Sequence, residues 1–393
     1  MSERLAFIKA CLDRTQQITT ICDRFGISEK TGHKWLARFR VEGPAGLEPR
    51  SHAPHAPHRT PDAIAERVLE ARRTHPLYGA VKLRDWLLQQ DPTIAWPAAS
   101  SIGALLGRQG LVKRRPRRGR AHGRLTGDLT AATAPNHVWT ADFKGQFQLG
   151  GGPYCYPLTV LDLHTHFLLG CVALSSPAVA DARTQFIHVF REFGLPVALR
   201  TDNGVPFAQP NALGRLGELA LWWVRLGIRP EHTTPATPAE NGAHERFHRT
   251  LAAATTRPPA ASLAAQQRRF EAFRVEYNTD RPHAALPNHV PPARVYETGR
   301  GAARPYPARL PPLVYPAEAA IRRVSTGGTI RWRQHRIFLS TNLAGDDVCL
   351  TLTAADLLMV TYATLKLGDL DPLVGRFRPD VRWLGESPPT MLL

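Results

Sequence analysis

Two short helical patterns separated by a turn occupy the first fifty residues. Apolar side chains recur at helical spacing from Ile18 to Phe25 and again from Trp35 to Phe39. Gly26 breaks the first run, and Ser28 is a favourable N-cap for the second helix. The pattern predicts a helix-turn-helix, with a plain helical hairpin as the alternative. The side chains that suit reading of the DNA major groove are Lys30, Thr31, His33 and Lys34.

Residues 60–112 carry three further apolar stripes at helical spacing. Thr60 and Pro61 form an N-cap followed by proline at the first helical position. The third stripe begins after a proline, where Ser100 or Ser101 can cap a helix. Three short helices of this kind predict a second helix-turn-helix-like unit that binds DNA.

The segment from 135 to 300 has strand patterns first and alternating helix and strand patterns afterwards. In its first strand, Thr140 and Asp142 share one face, and Trp139 and Ala141 share the other. Such an order predicts an α/β sheet of mixed direction. The predicted strands are 137–148, 156–163, 167–174, 197–201 and 228–232, and the predicted helices are 178–193 and 211–226.

Beyond residue 300 the pattern changes to a proline-rich stretch and then to short strands. The stretch RPYPARLPPLVYP predicts a semi-rigid linker. The short strands expected at 329–332, 336–340, 348–353 and 357–362, separated by turn residues, fit a small antiparallel barrel or sandwich. We expect a small all-β barrel.

These patterns predict a multidomain chain with N-terminal all-α units, a central α/β core and a C-terminal all-β unit. The expected divisions are a helix-turn-helix domain at 1–50, a linker at 51–59, a second helical DNA-binding domain at 60–112, a basic linker at 113–134, a catalytic core at 135–300, a proline-rich linker at 301–320 and a β-barrel at 321–393.

Positive charge is concentrated at the N-terminal end. The formal net charge is +17, and residues 1–135 hold 23 Lys or Arg against 12 Asp or Glu. An anionic polymer is the natural partner of such a chain. The densest basic run, KRRPRRGR, is expected to neutralise DNA phosphates, although such runs are often only solvated. Its basic residues are Lys113, Arg114, Arg115, Arg117, Arg118 and Arg120.

The five cysteines are scattered and form no C-x-x-C pair, which predicts free thiols in a reducing compartment. The first residues are too charged for a signal peptide, and no stretch of about 18 uninterrupted apolar residues occurs. We therefore expect a cytoplasmic, nucleoid-associated bacterial protein with no membrane partner.

Three carboxylates stand in contexts typical of a phosphoryl-transfer site: Asp142 in WTADFKG, Asp202 in RTDNGVPF and Glu245 in ENGAHERFHRTL. The two aspartates belong to strand-like runs, and the glutamate lies on a probable helix. Carboxylate oxygens are preferred ligands of Mg²⁺, and two such ions about 3.5–4 Å apart can serve one in-line displacement at phosphorus. The expected cofactor is thus two Mg²⁺ ions, with Mn²⁺ able to substitute.

Neighbouring residues supply two competitors and several donors. Glu240 is the weaker candidate because we place it in a loop before the helix, and Asp162 is expected to be a turn residue. Beside Glu245, Arg246 and Arg249 are expected to bind DNA phosphates. His244 and His248 are expected to act as further donors to phosphate oxygens.

The segment from WTADFKG through TDNG to NGAHERFHRTL resembles the integrase-type DDE transposases of bacterial insertion sequences, which are relatives of retroviral integrase with an RNase H-like core. The flanks GISEKTGHKWLARFRVEGPAGLEPRSHAPH and RRFEAFRVEYNTDRPHAAL resemble the same group, so the likeness covers nearly the whole chain. It implies that Asp142, Asp202 and Glu245 are the catalytic, metal-binding triad.

The sequence departs from that family pattern in the turn LDLHTHF, where relatives often carry Ser-Arg, and in the spacing of two acidic residues. Asp202 and Glu245 are 43 residues apart, which exceeds the usual separation and implies a longer connection. The His and Cys set that binds zinc near the N-terminus of retroviral integrases is missing from this sequence, so we predict no structural zinc.

The resemblance implies a DNA transposase. Such an enzyme binds the element's terminal inverted repeats, frees a 3′-OH by Mg²⁺-dependent cleavage and joins that hydroxyl to a target phosphodiester. It implies a homodimer or homotetramer on double-stranded DNA. A non-catalytic DNA-binding regulator derived from a transposase is the alternative, and a plain Mg²⁺ nuclease is a third hypothesis.

Overall fold

The computed structural model describes residues 2–49, 60–112, 129–209, 211–233, 238–301 and 303–385. For residues 2 and 238–243 only the backbone is described. The expected linker at 51–59 and the basic run at 113–120 lie outside the described residues. The chain divides into two compact units, residues 1–61 and residues 62–393.

Three helices form the first unit: α1 (Ser2–Leu12), α2 (Ile18–Arg24) and α3 (Glu29–Glu42). Phe7, Ile21 and Leu36 are among the apolar side chains that meet in its core. Ser28 caps α3, because its hydroxyl oxygen accepts a hydrogen bond from the Thr31 amide at 3.3 Å. The helix-turn-helix pattern of α2 and α3 is therefore present, while α1 had not been predicted.

A second group of helices opens the larger unit: α4 (Asp62–Thr74), α5 (Ala80–Gln90) and α6 (Ala99–Arg108). The three apolar stripes meet in one core that includes Val68, Leu83 and Ile102. The expected serine cap of α6 is wrong. The helix starts one residue before Ser100, and its N-cap is Ala98, whose side chain cannot accept a hydrogen bond.

A six-stranded mixed sheet forms the centre of the larger unit. Its strands are β1 (Val138–Phe143), β2 (Phe147–Gln148), β3 (Tyr154–Asp162), β4 (Leu168–Leu174), β5 (Ala198–Thr201) and β6 (Arg229–His232). β3 pairs antiparallel with both β4 and β1, whereas β1, β5 and β6 run parallel to one another. The expected α/β sheet of mixed direction is confirmed, with the strand order of an RNase H-like core.

Helices cover both faces of this sheet. α7 (Val179–Phe193) and α8 (Glu218–Arg225) pack on the face that carries Trp139 and Leu199. α9 (Pro238–Thr255) and α10 (Leu263–Thr279) pack on the opposite face, where Phe247 and Phe273 share a core with β3 and β4. The last helix of the core is α11 (Pro292–Gly299).

Two predicted elements are divided in the structure. The expected strand at 137–148 is interrupted at residues 144–146, because Gly145 adopts φ +83° there. The expected helix at 211–226 begins only at Glu218, after a short 3-10 turn at Leu213–Arg215. Both differences arise where glycine allows backbone conformations that an apolar pattern does not reveal.

The C-terminal region is rich in strands. A five-stranded antiparallel sheet contains β7 (Ala320–Arg323), β10 (Asp347–Leu352), β11 (Leu358–Tyr362), β12 (Leu365–Leu370) and β13 (Phe377–Trp383). A separate hairpin contains β8 (Thr329–Trp332) and β9 (His335–Phe338). The expected barrel is not confirmed, because the strands that the structure describes form no closed sheet.

Candidate active site

Asp142 lies in β1, and Asp202 directly follows the neighbouring parallel strand β5. Ala141 of β1 is paired with Thr201, the last residue of β5, and each aspartate is the residue that follows this pair. Neighbouring strands are about 4.8 Å apart, and residues in register on parallel strands share a face. The residues that precede Asp142 and Asp202 are thus paired, although the two aspartates are 60 positions apart in the sequence.

Asp202 is held in a tight turn at the carboxyl end of β5. Its Oδ1 accepts a hydrogen bond from the Gly204 amide at 3.1 Å. A Cβ at position 204 would lie 3.0 Å from Oδ2 of the same carboxylate, so glycine permits the close approach. His232, at the end of β6, donates from Nδ1 to the Asp202 carbonyl oxygen at 3.3 Å.

Glu245 lies on α9, as expected, and its side chain is exposed. The inner side of the same helix packs against the sheet face that carries Asp142. The membership of Glu245 in the site stays a prediction. The placement of Glu240 in a loop is wrong, because α9 already begins at Pro238 and includes it.

Two histidines on the inner side of α9 contact threonine hydroxyls of the sheet. His244 contacts Thr140 Oγ1 through Nδ1 at 3.1 Å and Thr159 Oγ1 through Nε2 at 2.7 Å. His248 contacts the same Thr159 hydroxyl through Nε2 at 2.8 Å. The expectation that His244 donates to DNA phosphates is wrong, because its side chain is buried and both ring nitrogens face the sheet.

Burial keeps these histidines neutral. Loss of solvation lowers the pKa of His248 to about 3, with the nearby Lys144 ammonium as a smaller cause. Loss of solvation also holds the pKa of His244 well below its usual value, and His248 adds to the effect. An unprotonated imidazole can act as a metal ligand, a role that the sequence pattern did not indicate for either residue.

Asp142 is the residue that links this cluster to the strand end. Its Oδ2 lies 3.8 Å from His248 Nδ1. One ligand atom from each of Asp142, His244 and His248 can be chosen so that all lie within 4.8 Å of one another. The oxygen donors of Asp142 and Asp202 fit a hard divalent cation such as Mg²⁺.

Asp162, the other competitor, has a structural role. Its carboxylate is fully buried and accepts hydrogen bonds from the Asn136 amide at 2.7 Å and from the Thr165 amide at 2.8 Å. Burial raises the pKa of this carboxyl group, while the hydrogen bonds oppose the change. It therefore fixes the turn after β3, as expected of a turn residue.

The expected DNA-binding residues fall into three groups. Lys30, His33 and Lys34 are exposed on α3, whereas Thr31 is half-buried and its hydroxyl contacts Ser28 Oγ at 2.9 Å. Arg246 and Arg249 are exposed on α9. The third group, in the run 113–120, lies outside the described residues.

A cationic cavity of about 310 Å³ lies beside α9. Its lining includes Lys82 of α5, Arg246 of α9 and Arg281, which follows α10. His166 and His283 also line it and stack with ring centroids 4.3 Å apart. The sequence pattern did not reveal this cavity, because its walls come from segments up to 200 residues apart.

Comparison with known protein families shows which domain families this chain matches. Residues 3–55 match a helix-turn-helix domain, and residues 31–106 match a homeodomain-like domain. Residues 132–238 and 226–292 match the integrase core domain. The chain therefore contains helix-turn-helix domains and an integrase core, and the family resemblance drawn from its sequence is confirmed.

A similar protein comes from a mobile element. An uncharacterized 39.2 kDa protein of insertion element IS476 from Xanthomonas euvesicatoria is 28% identical over 277 residues, which are 69% of this chain and 75% of that protein. The chain is thus similar to a protein of a bacterial insertion element.

Solved integrase structures also match. The HTLV-2 integrase catalytic core domain, solved in complex with magnesium, is 15% identical, covers 42% of this chain and 98% of its own, and has a TM-score of 0.33. A chain of the simian T-cell lymphotropic virus intasome, solved in complex with PP2A regulatory subunit B56 gamma, is 16% identical, covers 76% of this chain and 97% of its own, and has a TM-score of 0.36. Among the described residues of the present chain, no helix has the length and apolar character needed to span a bilayer.

Proposed function

We propose that this protein is a DNA transposase, a DDE-type polynucleotidyl transferase that cleaves DNA at the ends of an insertion element and joins them to a target. The observation that carries the proposal is the register of the parallel strands β1 and β5, in which Ala141 pairs with Thr201, the residues that precede Asp142 and Asp202. Open α/β sheets bind their ligands at this edge. The match to the integrase core domain covers both residues.

The proposed site consists of Asp142, Asp202 and Glu245. Two Mg²⁺ ions held by such carboxylates supply stabilisation of the attacking and leaving oxygens at phosphorus, and Mn²⁺ is expected to substitute. The exposed Arg246 and Arg249 stand beside Glu245 on α9 and offer guanidinium donors to phosphate oxygens. The protein thus positions the scissile phosphodiester and neutralises its charge.

Both helical regions are proposed to hold DNA. Lys30, His33 and Lys34 project from α3, the second helix of a helix-turn-helix, which suits contact with the terminal inverted repeats. Because two element ends must react together, the active form is proposed to be a dimer or tetramer on DNA.

The test is a joining assay with labelled element ends, a target plasmid and Mg²⁺. The wild-type protein should produce joined products, and Asp202→Asn should abolish joining while end binding in a mobility-shift assay persists. End binding without any wild-type joining or cleavage would favour the regulator, and cleavage without joining or end preference would favour a nuclease. Full joining by Asp202→Asn would remove Asp202 from the site.

A further inference from the structure

The Nδ1 atom of His248 faces the carboxylate of Asp142. The Nε2 atom of the same ring contacts Thr159 Oγ1 at 2.8 Å, whereas Nδ1 lies 3.8 Å from Asp142 Oδ2. That separation is too long for a hydrogen bond. What occupies the space between the two atoms therefore depends on whether Nδ1 carries a proton.

The hydrogen bonds around Thr159 determine the tautomer of His248. The Thr159 hydroxyl has one proton and three neighbours: the Asp142 carbonyl oxygen at 3.1 Å and the Nε2 atoms of both histidines. A carbonyl oxygen can only accept, so the hydroxyl donates to it, and all three contacts are satisfied when both imidazoles donate through Nε2. The Nδ1 of His248 then carries a lone pair directed at a carboxylate oxygen.

Two electron-pair donors that face each other in a half-buried site favour a cation between them. Ligand atoms that are each about 2.1 Å from one metal ion lie roughly 3.0–4.2 Å apart, depending on the angle at the metal. The observed 3.8 Å falls within that range. His244 does not compete for this position, because threonine hydroxyls engage both of its nitrogens.

The spacing on α9 adds a second argument. Glu245 and His248 are three residues apart and are therefore neighbours on the helix surface. A Glu-x-x-His pair that projects from a helix is a recurrent ligand set in carboxylate-bridged two-metal sites of helix bundles. α9 can thus present a carboxylate and an imidazole to the strand end that carries Asp142.

We propose that His248 is a nitrogen ligand of the divalent cation held by Asp142, which makes the site a mixed nitrogen and oxygen site. Imidazole is a better ligand for first-row transition ions than for Mg²⁺, so the site should prefer Mn²⁺ to Mg²⁺ more strongly than carboxylates alone would. The inference rests on the proposed function only in taking Asp142 as a metal-binding residue.

The test is pulsed electron paramagnetic resonance of Mn²⁺ bound to the full-length protein, without DNA. Wild-type protein should show electron spin echo modulation from a directly coordinated ¹⁴N, and ¹⁵N-histidine labelling should replace it with ¹⁵N modulation. His248→Asn should lose the nitrogen signal and bind Mn²⁺ about tenfold more weakly by calorimetry, which is the lower end of the cost of disturbing a metal site. Asp142→Asn should lose both the bound Mn²⁺ and the signal.

His232→Gln is the matched control, because His232 is the other histidine near the strand ends and its Nε2 is buried with no hydrogen-bond partner among the described residues. This variant should keep the nitrogen signal. Loss of the signal in His232→Gln, its persistence in His248→Asn, or its absence from wild-type protein that binds Mn²⁺ at Asp142 would each overturn the proposal. If His248→Asn fails to fold, His248→Gln and the labelled wild-type protein provide the same comparison. DNA joining is measured separately, so failure of the transposase proposal leaves this result interpretable.

Discussion

At the scale of single residues, the hydroxyl of Thr159 has three partners near the candidate site. It lies within 3.1 Å of the Asp142 carbonyl oxygen and of one nitrogen from each of two histidines on α9. Because these groups are buried or nearly so, each requires a partner inside the protein. Thr159 therefore connects the strand that carries Asp142 to the helix that carries Glu245.

Thr159→Val should lower the free energy of unfolding by about 2–6 kcal/mol, since two imidazole N–H groups lose their acceptor at a cost of about 1–3 kcal/mol each. Urea denaturation measures the change. Thr184→Val is the control, because the Thr184 hydroxyl donates to a carbonyl oxygen of its own helix at an exposed position. Its effect should stay within about 0.5 kcal/mol. Equal effects of the two substitutions would contradict this role of Thr159.

At the scale of elements, α9 has two sides with different chemistry. Its inner side carries His244 and Phe247, which pack on the sheet. The same helix carries the exposed side chains of Glu245, Arg246 and Arg249, and Arg246 also lines the cationic cavity. α9 thus carries both the side chains that fix its position on the sheet and a set of exposed charged side chains.

Arg246→Ala should weaken DNA binding to a similar extent on all sequences and reduce the slope of log affinity against log salt by about one, because one phosphate contact is lost. Fluorescence anisotropy at several salt concentrations measures both quantities. Arg268→Ala, which removes an equally exposed arginine from α10, is the control and should change neither. An unchanged slope for Arg246→Ala would exclude a phosphate contact there.

At the scale of the whole molecule, the helical group α4–α6 and the core of the larger unit are joined by polar contacts. The Tyr78 hydroxyl donates to Glu276 at 2.6 Å, and the Trp86 indole donates to Asp280 at 2.6 Å. Lys82 donates to the Pro282 carbonyl oxygen at 2.8 Å. Lys82 lines the cationic cavity together with Arg281 and His283.

Burial of His283 in this cavity makes the free energy of unfolding depend on pH. Burial lowers the pKa of His283 to about 3, with His166 and Lys82 as further causes. The unfolded state, with a pKa near 6.5, then binds more protons below that pH than the folded state does. The contribution of neutral His283 to the free energy of unfolding is complete above pH 6.5, and it falls as the pH drops toward 3.

Between pH 7 and pH 5, His283 alone should cost about 1–2 kcal/mol of unfolding free energy. Urea denaturation at both values measures the loss, and His283→Gln should reduce it by that amount. His188→Gln, on α7, is the control and should leave the loss unchanged. An identical pH dependence for the wild-type protein and His283→Gln would contradict a neutral His283.

Local sequence was sufficient for much of the fold. The alternation of Trp139 and Ala141 with Thr140 and Asp142 correctly assigned the two faces of β1, because strand periodicity is a local property. Ser28 correctly indicated the start of α3. Divided elements, such as the one at Gly145, were missed, since a single glycine can redirect the backbone without changing the apolar pattern.

The amino-acid sequence by itself determined many of the strands and helices, the concentration of basic charge and the carboxylates that stand near strand ends. The tertiary structure decided that β1 lies beside β5, that His244 and His248 face inward, and that Lys82 and His283 share a cavity. The physical reason is that an element depends on neighbouring residues, whereas pairing between distant segments depends on how the whole chain closes its core.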